Sequence, residues 1–264
     1  MQTLKFGLYN GDHLEKAAPA GHSAYLVFQH GYKRGDYYQV EVDKAPAYLV
    51  VQLDAALSPA LIYVTAPTFR YAIPFDDQRE WPYPDGAFAG HKHYASVRFA
   101  APDEIAARRN LAVNSHDLRE AKDVFPHASA NAETRGEYVF FARNAIDGYV
   151  ANESHGNFPF QSWGIDQRED AELTVDFGRP VTIDTLILTL RADYPHDTYW
   201  TDGTALFSDG SQLPLTMAKT AGPQPYTFAA KTVTWVRLTA LKRAQGTEFF
   251  PALTELAVIG KNAE

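Results

Sequence analysis

Val181-Thr182-Ile183-Asp184-Thr185-Leu186-Ile187-Leu188-Thr189-Leu190 is the stretch that decides the fold. Apolar and polar residues alternate along it, the period of a strand with one face turned inward. Val181 and Ile183 carry the apolar phase before Asp184, and Leu186, Leu188 and Leu190 carry it afterwards, so the phase slips by one residue. Side chains on a strand change face at every residue, and a slip therefore predicts a β-bulge or sheet corner at Asp184. Around this stretch, strand signals recur at 173–177, 204–208, 233–238 and 253–259, with turn signals such as Asp209-Gly210 between them.

The first part of the chain reads the same way. Short segments rich in Tyr, Val, Phe and Ile fall at 24–29, 37–42, 48–53, 61–64, 69–75 and 94–100, and in Tyr38-Gln39-Val40-Glu41-Val42 every second residue is polar. The stretch 76–90, with Trp81-Pro82-Tyr83-Pro84-Asp85-Gly86, is too broken by Pro and Gly for a strand and reads as a long exposed loop. It is either a second binding surface or a plug against the following domain, and paired β-domains favour the plug. Between Pro102 and Phe125, good helix formers and cap residues predict the helix of the molecule. The expectation is an all-β protein with helix under about 15%. It has two β-sandwich domains, an accessory one over 1–105 and a second over 106–264.

Composition narrows the function. The 264 residues carry 24 Lys and Arg against 32 Asp and Glu, a net charge of −8, which disfavours nucleic acid and anionic membrane surfaces as partners. There is no Cys, so thiolate nucleophiles, disulfides and sulfur-ligated metals are excluded. No apolar run approaches the ~20 residues of a membrane span, and residues 1–10 hold no apolar signal core, so the expected location is cytoplasmic.

A series of matches in order then points to a family: Asn110-Leu111-Ala112, Ala128-Ser129-Ala130, Asn144-Ala145-Ile146-Asp147-Gly148, Trp163, Leu173-Thr174-Val175-Asp176-Phe177-Gly178, Phe207-Ser208-Asp209-Gly210, Trp235-Val236-Arg237-Leu238 and Pro251-Ala252-Leu253-Thr254-Glu255-Leu256. In this order the second half resembles the discoidin-like, or coagulation-factor C-type, domain of the galactose-binding-like superfamily, which includes many carbohydrate-binding modules. The resemblance implies a discoidin-like jelly roll with a ligand site on loops at one end. It also implies a structural Ca²⁺ beside Asn144 and Asp147, closed by Glu255. The other reading of these residues is that Asp147-Gly148 is only a turn and Glu255 caps a strand end. The insertion 149–162 departs from the family pattern where a short polar loop would supply a further ligand.

Sugar recognition needs an aromatic face for the C–H side of a pyranose and planar polar groups for its hydroxyls. Two segments supply both, 154–163 and 191–200, from which the candidate ligand residues are His155, Phe158, Phe160, Arg191, Asp193, His196, Asp197, Tyr199 and Trp200. Trp163 is expected in the core, as its family counterpart is, and Trp200 could instead pack over an edge strand. His91-Lys92-His93 puts two imidazoles on one face of a strand, a pattern that more often satisfies backbone partners than a metal. No Gly-x-Ser-x-Gly, phosphate loop or His-Glu-x-x-His is present. The expected function is non-catalytic carbohydrate binding; the alternatives are a glycoside hydrolase or lyase using the same loop and a protein–protein adaptor.

Overall fold

The computed structural model describes residues 2–193, 198–246 and 250–263. Strand accounts for 47% of the chain and helix for 8%, so the protein is all-β. The first sandwich uses β1 (Leu4–Asn10), β2 (His13–Ala17), β3 (Ser23–Phe28), β4 (Asp36–Val42), β5 (Ala47–Gln52), β6 (Ala60–Val64), β7 (Thr68–Ala72) and β8 (His93–Phe99). One antiparallel sheet runs β2-β1-β4-β7, and a second places β6, β5, β8 and β3 side by side. Alternate residues of β4 are buried, as its sequence requires, and Phe6, Tyr38, Leu49, Val51 and Ile62 meet in a single core. At one border of this sandwich β3 is an edge strand, where Lys16 Nζ donates to the Val27 carbonyl. On its outer side Tyr25 is 64% exposed and stacks diagonally on Tyr94 of β8, two residues from its direct partner Ser96.

The stretch 76–90 is not an exposed loop. After the short helix α1 (Asp77–Glu80) it turns inward, and Tyr83, Ala87 and Phe88 are buried. Asp54 holds the turn by accepting the Phe88 N–H at 2.9 Å, and Phe88 has φ 52°. Pro and Gly exclude a strand here without excluding burial. His93 lies in the same core between the rings of Phe28 and Tyr32, with Nε2 3.2 Å from the Gly90 carbonyl.

The predicted helix over 102–125 shrinks to α2 (Pro102–Ala106). Residues 115–123 form turns and bends because several of their side chains are committed to distant partners. His116 Nε2 accepts the Leu53 N–H at 2.9 Å, Ser115 Oγ donates to the Ser58 carbonyl at 2.6 Å, and Asp117 accepts from Ala128 N at 2.9 Å. Such contacts override local helix propensity.

The remaining strands are β9 (Arg109–Asn110), β10 (Val124–Phe125), β11 (His127–Ala130), β12 (Trp163–Gly164), β13 (Leu173–Leu190), β14 (Trp200–Phe207), β15 (Gln212–Thr216), β16 (Gln224–Arg243) and β17 (Ala252–Asn262). They run β12-β17-β13-β16-β14-β15, with β11 on β13 and β9 on β17, whereas β10 extends the first sandwich beside β6. In β13 the buried face changes parity after Asp184, and the pairing with both β16 and β17 shifts between Ile183 and Thr185. That is the bulge expected from the slipped alternation. The core of this part includes Trp163, Leu173, Phe177, Leu186, Leu188, Trp200 and Phe207. Gly178, at φ 65°, lies so close to the Phe125 ring that a Cβ there would come within 2.2 Å of it. The two cores also meet where Arg179 lies over the rings of Tyr48 and Tyr63, and where Arg143 donates to the Tyr83 hydroxyl.

Candidate functional site

The end of β13 and the turns beside it enclose a cleft of about 390 Å³ lined by Thr134, Arg135, Phe140, His155, Gly164, Arg191 and Phe250. Its walls come from separate parts of the chain, tied together by hydrogen bonds. The 3-10 turn Thr134–Gly136 and the turn at Asp166 are cross-linked, since Asp166 N donates to Thr134 Oγ1 at 3.0 Å and Arg135 N to Asp166 Oδ1 at 3.3 Å. Arg135, Asp166 and Gln167 all have positive φ, between 51° and 62°. Backbone of this kind persists only where its surroundings hold it, and it concentrates at ligand clamps. Gly164 is required by the same packing, because a Cβ would lie 2.5 Å from Thr134 Oγ1.

The polar groups of the cleft are oriented in advance. His155 Nδ1 is hydrogen-bonded to Asp193 Oδ2, and the imidazole is about half exposed while the carboxylate is largely covered. With Nδ1 engaged, Nε2 is the free edge of the ring. Arg135 forms a two-bond fork with Glu137, at 2.6 and 2.9 Å, and lies over Phe140. Arg191 is buried, with Nη2 donating to the Phe250 carbonyl at 2.6 Å and its backbone N–H to Ala252. The insertion 149–162 is fastened to β13 through Asn152, whose Nδ2 donates to Leu190 and Ala221 carbonyls and whose own carbonyl accepts from Ala192 N.

Of the residues expected to form the site, the structure brings His155, Arg191 and Asp193 together. Trp200 is not a stacking platform: it is 1% exposed and packs 6.1 Å from Trp163 in the core. Its place at the start of β14, where inward residues alternate, puts the indole between the layers. Phe158 packs edge-on against Tyr149, and its N–H donates to the Trp81 carbonyl at 2.7 Å, so it serves the contact between the two parts of the chain. Phe160 is half-buried outside the cleft lining, and Tyr199 packs against the core. His196 and Asp197 lie outside the described residues. Sequence reading missed Thr134, Arg135, Phe140 and Phe250. The signal for the first three was Arg135-Gly136 in a non-strand segment followed by Tyr138, Phe140 and Phe141.

A larger cavity of about 710 Å³ opens at the β7 border of the first sandwich, lined on its inner side by core residues such as Val51, Leu53 and Ile62. It contains none of the expected site residues.

Asn144, Asp147 and Glu255 are also brought into one neighbourhood. Glu255 Oε2 accepts the Gly148 N–H at 3.3 Å, and Gln161 Nε2 donates to Asp147 Oδ2 at 2.8 Å. Asp147 is half-buried as a residue but its carboxyl is enclosed, and burial pushes that carboxyl up to about 7. Burial and the Asp147 charge push Glu255 well above the usual carboxylate range. Three further oxygens on adjoining residues, Asn144 Oδ1, Gln161 Oε1 and Ser162 Oγ, are buried with no hydrogen-bond partner. A set of two mutually repelling carboxylates and three orphaned neutral oxygens fits a hard divalent cation. Among the described residues, here included, no group of three His, Asp or Glu is placed to hold a metal, so only two ligands of this set would be carboxylates.

These features define an all-β protein of two joined sandwiches with a small polar and aromatic cleft at one end of the second. The profile of a family described as Domain of unknown function (DUF7402) matches residues 123–259, and the chain belongs to that family. Among solved structures, similarity extends to chitosan-binding module 1 of a chitosanase/glucanase from Paenibacillus sp. IK-5, at 22% identity over 58% of this chain and 99% of that one, with a TM-score of 0.41. It extends to the family 32 carbohydrate-binding module of C. perfringens NanJ in complex with galactose, at 20% identity over 50% of this chain and 91% of that one, TM-score 0.39. The lectin domain of lectinolysin complexed with Lewis B antigen is 18% identical over 59% of this chain and 98% of that one, TM-score 0.43. No curated protein matches.

Proposed function

We propose that the protein binds carbohydrate without transforming it, at the cleft between His155, Arg135 and Phe250. On this reading residues 106–264 are a discoidin-like binding unit and residues 1–105 an accessory sandwich. The observation that carries it is the convergence of an oriented imidazole, two arginines and Phe250 on one volume of about 390 Å³, with Phe140 buried beneath Arg135. Planar donors match adjacent hydroxyls and an aromatic face matches the C–H side of a sugar ring. A glycosidase would need two carboxylates facing the scissile bond. Among the described residues none lines the cleft; Asp193 is hydrogen-bonded to the His155 imidazole and Glu137 is paired with Arg135.

A glycan array followed by mass analysis of the retained sugar tests this. A binding module retains a glycan unchanged, an enzyme alters it, and an adaptor ignores every glycan. His155→Ala should weaken retention by about 2 kcal/mol, roughly thirtyfold, if His155 is a hot spot. Its stability should stay within about 0.5 kcal/mol of the parent, since the ring is half exposed.

The same unit is proposed to hold one structural Ca²⁺ through Asp147, Glu255, Asn144, Gln161 and Ser162, where the ion would neutralise the two carboxylates and give the orphaned oxygens a partner. At 100 times its Kd, Ca²⁺ should stabilise the fold by about 2.7 kcal/mol. Melting temperatures that are equal in calcium and in chelator would remove this site.

A further inference from the structure

A second pocket, of about 260 Å³, opens where the two sandwiches meet. Tyr83 and Gln78 line it from the first, and Tyr138, Phe141 and Arg143 from the second. Tyr138 and Phe141 stand edge to face at 4.9 Å, and Gln78 Nε2 fixes the Tyr138 hydroxyl at 2.8 Å, so the aromatic wall is held across the junction.

Two arginines line the pocket: Arg119, which lies over the Phe141 ring and is paired with Glu133, and Arg143, which has no such partner among the described residues. The Arg143 guanidinium lies 4.6 Å from the centre of the Tyr83 ring. Among the described residues both of its hydrogen bonds, to the Tyr83 hydroxyl and the Asp117 carbonyl, leave from Nη1, and no carboxylate lies within ion-pair distance. Nε and Nη2 have no protein acceptor, yet neither is among the fully enclosed orphan atoms, so both reach open space. The Nε–Nη2 edge of an arginine is a side-on fork for a carboxylate. Asp147 and Asp117 act on this guanidinium only from beyond ion-pair distance, and an incoming carboxylate would give it a direct partner. Glu120 also lines the pocket, but it is exposed, where solvent and salt screen its charge.

We propose that this junction pocket binds a small carboxylate-bearing molecule with a flat apolar body, its carboxylate on the Nε–Nη2 edge of Arg143 and its body against Tyr83, Tyr138 and Phe141. The volume, below the ~300 Å³ at which drug-sized sites begin, fits a ligand of about one ring. This site is separate from the cleft at His155, and its occupancy does not depend on what that cleft binds.

The test uses the full chain and four probes, benzoate, benzamide, acetate and glucuronate, titrated by calorimetry or saturation-transfer NMR. Benzoate should bind saturably, and benzamide and acetate each about tenfold more weakly, the first lacking the charge and the second the ring. Arg143→Lys, which keeps the charge and loses the fork, should weaken benzoate about tenfold. His155→Ala should leave benzoate binding unchanged. If Arg143→Lys does not fold, the benzoate and benzamide comparison on the unmodified chain still decides. No saturable benzoate binding at tens of millimolar, or benzamide equal to benzoate, overturns the proposal. Glucuronate tighter than benzoate overturns the apolar body.

Discussion

Trp200 and His155 show how two segments of like composition can serve different ends. Both were expected to contact a sugar, and only the imidazole lines the cleft. Trp200→Ala should destabilise the fold by about 3–5 kcal/mol, the range for truncating a buried large aromatic. Denaturant unfolding measures this, and the fraction that remains folded should keep its glycan affinity. A loss of affinity without a loss of stability would return the indole to the binding surface. The sequence could not separate these outcomes, because an aromatic residue at the mouth of a strand looks alike whether it turns out or in. What decides is the parity of β14, and the first residue of that strand is Trp200 itself.

At the scale of elements, the bulge in β13 is the feature most open to a sequence test. Deleting Asp184 would remove the extra residue that β13 carries against β17 and leave Val181, Ile183, Leu186, Leu188 and Leu190 in unbroken alternation on one face. The shortened strand should therefore still fold cooperatively, whereas inserting one further residue after Asp184 would turn the three leucines outward, read as a lost near-ultraviolet circular-dichroism signal and a lost unfolding transition. Replacing Asp184 by Ala should cost little, since its partner Arg108 is surface-exposed. Strands were legible wherever alternation was strict, as in β4 and β13, because burial on one face writes itself into every second residue. The stretch 115–124 was misread for the opposite reason. Its helix formers are real, but His116 and Asp117 bond to residues far away in sequence, and nothing local records such bonds. The cleft was half legible on the same grounds: His155, Arg191 and Asp193 sit in two dense polar and aromatic segments, whereas Phe250 contributes only through the return of the chain into β17.

The whole molecule is held together across its junction partly by His116. Burial, reinforced by the Arg143 charge, pushes its imidazole down to about 3, so the folded state keeps it neutral where the unfolded chain, near 6.5, protonates it. Below pH 6.5 the unfolded state binds more protons, and stability falls as pH falls, until both states are protonated near pH 3. From pH 7.5 to pH 5 this single group should cost about 2 kcal/mol. His116→Gln, which cannot titrate, should show a shallower acid limb than the parent in urea unfolding at a series of pH values; identical limbs would mean that the ring is not the sensor.

The Lys16 contact with the Val27 carbonyl has a consequence for the behaviour of the protein in concentrated solution. An edge strand is a template for any other chain in extended conformation, and β3 couples that hazard to a sticky outer surface of Tyr25, Val27 and Tyr94. A single ammonium occupies one of the acceptors that an incoming strand would need, and its charge follows that strand into the contact. Colloidal stability at this border therefore rests on one long side chain, as a gatekeeper against intermolecular strand addition.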